Sequence, residues 1–207
     1  MIENIIKVKI YYYIQMINSS VLKQLVTTII KKYEDDFFSY AASKKMHHNR
    51  EGGLSNHVLT MLEISEKLGN IYPDVNLDYI YSAIILHDMG KVLEYLDKDA
   101  KKRSLEGALH GHISIIVEEI SHFNIINLTK QDKEQITVLK HIILSHHGVY
   151  EYGSPVLPMT LEAVIVNFID DLDSKIDILI GELGKISEGE FTKSLLAFDG
   201  RKFYRTK

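Results

Sequence analysis

SAIILHDMGKVLEY, residues 82–95, sets a histidine and a carboxylate directly behind four aliphatic positions, Ala83 to Leu86, and reaches a glycine two residues later. Read outward, Leu77, Tyr81, Ile84 and Ile85 recur at spacings of three and four, the apolar stripe of a helix over 77–89. An aspartate at the apolar end of such a helix is costly unless a salt bridge, a cap or a metal ion compensates it. Which of these applies to Asp88 depends on what the rest of the chain brings to the same place.

The same periodicity runs through most of the sequence. Val21, Leu22, Leu25, Ile29 and Tyr33 mark a helix within 18–38, with Ser19 or Ser20 as its cap. Leu54, Val58, Met61, Leu62 and Leu68 mark another over 54–68, and Pro73 and Asn76 separate it from the 77–89 helix. Helices are also predicted over 108–123, 130–147 and 158–183, with Pro158 in the first turn of the last. No Asn-Gly or Asp-Gly joins two alternating runs, and the weakly strand-like 121–129 is short. The pattern predicts an all-α fold: one helical bundle of about six to eight helices, comprising residues 19–207. Residues 1–18, with their tyrosine run, form an N-terminal extension that suits either a short strand or a packed helix.

Bulk composition narrows the function. The chain has 207 residues, enough for one well-buried core. A net charge of −4 gives no global basic field for nucleic acid, so a polyanion site must be local. The basic stretches 97–103 and 201–207 read as solvated surface. The absence of cysteine excludes disulfides, thiolate metal sites and cysteine nucleophiles, and suggests a cytoplasmic protein. No run is long and apolar enough for a membrane span, and the N-terminus lacks the features of a signal peptide.

Ten histidines are the unusual feature. His57 lies near the start of one predicted helix and His112 near the start of another. His87 and Asp88 end a third, just before Gly90, and His146 and His147 end a fourth, just before Gly148. Asp170 lies mid-helix beside Phe168 and Ile169, read as buried, and is preferred to Asp173 as a ligand. Singly, each histidine reads more simply as a cap or surface residue, His146–His147 as a favourable end for a helix dipole, and IDDLDSKID (169–177) as a solvated acidic face. Taken together, they make an imidazole-and-carboxylate set suited to Mn, Fe, Co, Ni or Zn.

HDMGK, with His57 upstream and Asp170 downstream, resembles the HD-domain superfamily of metal-dependent phosphohydrolases. Nearly the whole chain looks like the HD domain of the YhaM-like 3′-to-5′ exoribonucleases. The stretches that carry this are HHNREGGLSNHV (47–58), ILHDMGKVLE (85–94), EGALHGHI (106–113), HIILSHHGVYEYGSPVLPMTLEA (141–163), NFIDDLDSKI (167–176) and FDGRKFYR (198–205). The resemblance implies one divalent ion held by His57, His87, Asp88 and Asp170. A second would be held by His112, His146 and His147, with Asp88 bridging and Lys91 facing the phosphate. Mn²⁺ is the first expectation for both ions, ahead of Fe, Co, Ni, Zn and Mg. His110 is the spare for His112.

About 18 residues precede the match, too few for the OB-type domain that this family carries in front. The expectation is therefore a phosphodiesterase that trims single-stranded RNA or short oligonucleotides from the 3′ end through a dinuclear metal-activated water. Its grip would be weak, unless a protein partner supplies RNA binding. The alternatives are a nucleotidase or cyclic-nucleotide phosphodiesterase, or a non-catalytic metal-bearing module that binds nucleotide or RNA.

Overall fold

The computed structural model describes residues 2–42, 52–123 and 127–207; His47 and His48 lie outside them. The chain runs through α1 (Ile2–Met16), α2 (Ser20–Lys32), α3 (Glu34–Ser39), α4 (Gly53–Ile71), α5 (Leu77–Leu86), the single turn α6 (Lys91–Glu94), α7 (Leu105–Ser121), α8 (Lys130–Ser145) and α9 (Leu161–Leu183). Among the described residues there is no strand, only three isolated antiparallel bridges. The fold is all-α, as the periodicity predicts.

α5 is the hub. Every residue from Ile80 to Leu86 is buried, and the helix packs against α1, α2, α4, α8 and α9. A helix apolar all round can only be stable when enclosed in this way. Several of the other helices begin at side-chain caps. Ser19 accepts from the Leu22 amide, Ser104 from Gly107 and Thr160 from Ala163, and Thr129 with Asp132 forms a reciprocal capping box.

Three details depart from or sharpen the sequence reading. The tyrosine-rich start is a helix: Ile10, Tyr13, Ile14 and Ile17 enter the core, and α1 packs on α4. Pro158 precedes α9 rather than occupying its first turn, because the Thr160 hydroxyl sets the start. Within 121–129, Ser121 ends α7 and residues 124–126 lie outside the described segments.

Two glycines fix how the site is assembled. A Cβ on Gly90 would lie 2.1 Å from the His112 carbonyl oxygen, and one on Gly107 would lie 2.2 Å from that of Glu94. α6 and α7 therefore meet backbone to backbone, which sets Asp88, Lys91 and Glu94 against His112. Gly111 (φ 72°, ψ 157°) breaks the helical path of α7 between His110 and His112, turning the first outward and the second inward.

Gly107→Ala should lower stability by about 1–3 kcal/mol, since backbone on both sides leaves the new methyl no room. Gly181→Ala in α9, where a Cβ meets nothing within 4 Å, should raise it by about 0.5 kcal/mol. Urea unfolding of both variants checks the contrast; equal midpoints would disprove the close contact between α6 and α7.

Candidate metal centre and active site

The structure brings all seven expected ligands to one place, from five parts of the bundle. His57 comes from α4, and His87 and Asp88 from the end of α5. His112 comes from α7, His146 and His147 from the end of α8, and Asp170 from α9. Their donor atoms fall into three overlapping groups, each within 4.8 Å: His57, His87 and Asp88; His87, His146 and Asp170; His112, His146 and His147. The rings of His87 and His146 are 4.9 Å apart and those of His146 and His147 are 4.2 Å apart, so His146 sits between the two halves.

Each imidazole is held by its outer nitrogen. His87 Nδ1–H donates to the Ile84 carbonyl at 2.8 Å, His146 to Ile143 at 2.7 Å and His147 to Tyr152 at 2.7 Å. His112 Nδ1 donates to Glu94 Oε2 at 3.1 Å and His57 Nδ1 to Asp173 Oδ2 at 2.6 Å. A carbonyl can only accept, so Nδ1 of His87, His146 and His147 carries the proton and, in the neutral ring, Nε2 presents its lone pair. Nε2 of His87, His112 and His146, together with Asp88 Oδ1, has no hydrogen-bond partner among the described residues.

Several lone pairs facing one buried space are unfavourable alone and are the coordination set of a divalent cation. Electrostatics follows the same arrangement. Burial pushes His87, His146 and His147 below the usual histidine range, towards the neutral form a metal needs. Burial also pulls on His57, but its hydrogen bonds to Asp170 and Asp173 outweigh it and raise it to about 9. Burial opposes the ionised form of Asp88 too, yet Lys91 and the neighbouring imidazoles hold its carboxyl well below the usual range. Asp170 is likewise held low, against burial, by His57 and the rings around it.

The compensation of Asp88 is thus half visible. Lys91 Nζ lies 2.6 Å from Oδ2, while Oδ1 faces His112 Nε2 at 3.4 Å. Asp170 and Asp173 lie on opposite sides of the His57 ring. Asp170 Oδ1 lies 3.1 Å from Nε2, on the cluster side, whereas Asp173 holds the far side of the ring. The reason given for preferring Asp170 needs correction: Ile169 is buried, but Phe168 is 66% exposed, because neighbours on a helix point about 100° apart. The solvated acidic face is only partly present. Asp171 pairs with Lys175 at the surface, while Asp170 and Asp173 turn inward. His110 lies at the surface, away from the cluster.

Sequence reading missed three supporting residues. Glu94 is 3% exposed and bridges His112 to Arg103, whose Nε lies 3.0 Å from Glu94 Oε1. Arg103 is therefore more than the solvated surface expected of 97–103. Asn167 Nδ2 donates to the His146 carbonyl at 2.8 Å, where a Cβ on Gly148 would collide with its amide. The signal for Glu94 was present in KVLEY: it is a second carboxylate beside aliphatics and needs compensation as much as Asp88 does.

Beside the cluster opens a cavity of about 550 Å³. Asp88, Lys91, His147, Tyr152, Asn167 and Asp170 line its inner end, and the outer part runs along α9 to the C-terminal turn at Leu196–Asp199.

Residues 54–175 match the family model described as "HD domain". The chain belongs to the HD domain family. All seven clustered residues lie inside the matched region, His57, HDMGK and Asp170 among them. Over 157 residues the chain is 45% identical to the "3'-5' exoribonuclease YhaM" of Geobacillus sp. (strain WCH70), covering 74% of this chain and 47% of that protein. The chain thus spans about half the length of that curated relative. No solved structure matches it. HD domains bind divalent metals, and the inward-facing nitrogens and carboxylates here fit such ions.

Glu94→Gln keeps the size of the side chain but removes the charge that orients His112. It should weaken divalent metal binding by about 10- to 100-fold, as loss of an outer partner does elsewhere. Calorimetric Mn²⁺ titration measures this; wild-type affinity in the variant would detach Glu94 from the centre.

Proposed function

We propose that this HD domain hydrolyses phosphodiesters, releasing nucleoside 5′-monophosphates from the 3′ end of single-stranded RNA or short oligonucleotides in the cytoplasm. The observation that carries the reading is the buried set of inward-facing imidazole nitrogens and carboxylate oxygens, with Lys91 beside it and one cavity leading to it. The direction of attack and the polymeric substrate rest on the likeness to the exoribonuclease.

In this reading His57, His87, Asp88 and Asp170 hold one ion, and His112, His146 and His147 hold the second. Asp88 is shared, and Mn²⁺ is the expected metal at both. Two such ions would activate a water and stabilise charge on the attacking and leaving oxygens of an in-line displacement. The chain's own contribution is positioning and charge. Lys91, 12% exposed and lining the cavity, supplies a cation where phosphoryl oxygens accumulate negative charge. Asp88 and Asp170, both ionised, balance the metal charge. The backbone-anchored rings of His87, His146 and His147 need no reorganisation as the reaction proceeds. A protein partner could add the strand-binding surface that a single cavity does not provide.

The two halves differ in charge. The first has two carboxylates, one of them shared; the second has three imidazoles and a share of Asp88, and should hold hard ions less tightly. Because His146 lies between the halves, His147 is the cleaner residue to remove. Elemental analysis of His147→Ala should show loss of about one ion with the other retained; loss of both, or of neither, would contradict the split.

With Mn²⁺ and 5′-labelled RNA, a ladder should form from a free 3′ end and not from a blocked one, and EDTA should abolish it. Asp88→Asn should lower turnover by at least about 100-fold while the protein stays folded. Lys91→Ala should leave metal content intact and lower kcat by about 100-fold. Internal cuts on both RNAs, or rapid hydrolysis of mononucleotides without RNA cleavage, would instead support the nucleotidase alternative.

A further inference from the structure

Leu196 is 92% exposed, more than any other large apolar side chain among the described residues, and it lines the cavity that leads to the metal centre. It is held there by a built turn. Phe198 is buried beneath, its ring 4.6 Å from that of Phe203. The turn closes through the Leu195 amide to the Arg201 carbonyl at 3.0 Å and the Gly200 amide to the Leu195 carbonyl at 2.9 Å. Asp199 (φ 53°) and Gly200 (φ 79°) are both left-handed, a strain that a non-glycine residue bears only when its surroundings enforce it.

The cavity is therefore two-ended. Lys91 and the ligand cluster form a charged end; Ile178, Leu196 and Ala197 form an apolar wall, rimmed by Asp199, Ser174 and the Asp171–Lys175 ion pair. Its volume lies in the range of small-molecule sites. A ligand that suits both ends has an anionic head and a flat apolar body. The Asp199 carboxylate and the polar Ser174 and Asp171–Lys175 groups beside the apolar wall suit a body that carries both N–H donors and acceptors, and disfavour an acyl chain. A nucleobase has that combination, with an apolar face and both donors and acceptors on its edge.

We propose that the Leu196–Asp199 turn, with Ile178, seats the nucleobase of the nucleotide whose phosphate lies at Asp88 and Lys91. The C-terminal segment would thus be a specificity wall of the active site. This rests on the phosphodiester reading above.

The test compares two Mn²⁺-dependent substrates with the same leaving group, an adenosine 5′-(p-nitrophenyl) phosphate and methyl p-nitrophenyl phosphate. Leu196→Asp, at a solvent-facing position that leaves the core intact, should raise KM for the nucleoside ester about tenfold. It should leave kcat, and both constants for the methyl ester, unchanged. Leu196→Ala should shift the same KM in the same direction by less. Equal effects on both esters, or none on either, would overturn the seat. Calorimetric titration of the Mn²⁺-loaded protein with AMP gives an answer independent of turnover: binding should weaken about tenfold in Leu196→Asp, and unchanged affinity would overturn the proposal. If the wild type turns over neither ester, the phosphodiester reading fails, and the AMP titration alone decides the seat.

Discussion

The fold is organised around a charge that its core cannot hold unaided. Asp88 is 2% exposed at the end of the most enclosed helix of the bundle. An uncompensated carboxylate there would cost several kcal/mol. Lys91 satisfies one oxygen, and the other faces His112 Nε2 in a ring of imidazoles, of which burial holds His87 and His146 towards the neutral form. Imidazole lone pairs beside ionised carboxylates leave the site electron-rich, and divalent ions suit such a site. The same feature that is a liability for folding is what suits the site to a divalent cation.

How the rings are aimed follows from helix ends. His87 and His146 occupy the C-caps of α5 and α8, and each donates Nδ1–H to a carbonyl three residues earlier, Ile84 and Ile143. The last carbonyls of a helix lack intrahelical partners. One bond therefore satisfies a terminal carbonyl, fixes the tautomer and turns Nε2 inward. Both helices also direct the negative ends of their dipoles at the site, which favours cations there. The construction occurs twice and places the cluster at the meeting of two helix C-termini, with α4, α7 and α9 supplying its remaining side chains from their sides.

Around this centre the outer partners differ. Backbone carbonyls hold His87, His146 and His147, whereas carboxylates hold His57 and His112 through Asp173 and Glu94. A carboxylate partner makes an imidazole more basic and a stronger ligand. In the two-ion reading proposed above, each half of the centre contains one such ring. The cavity beside it is walled by α9 and the C-terminal turn, so residues 196–199 help shape a site whose clustered histidines and aspartates all lie upstream.

Much of this was legible in the sequence because it depends on local period and residue chemistry. Apolar recurrence at three and four gave the helices, and histidines before glycines marked the ends at which α5 and α8 stop. A cysteine-free set of imidazoles and carboxylates suggested a metal. What sequence could not decide was direction. Whether Asp170 or Asp173 faces the cluster depends on which side of the His57 ring α9 passes, and only the α4–α9 packing sets that. His112 rather than His110 points inward because Gly111 takes a left-handed φ. Glu94 becomes a partner of His112 only because Gly90 and Gly107 let α6 and α7 touch. The cavity's apolar wall comes from a turn that the chain reaches more than twenty residues after the last ligand. Side-chain identity and spacing determine what a helix can offer, whereas the approach of separate backbones, with no period along the chain, determines what each side chain meets.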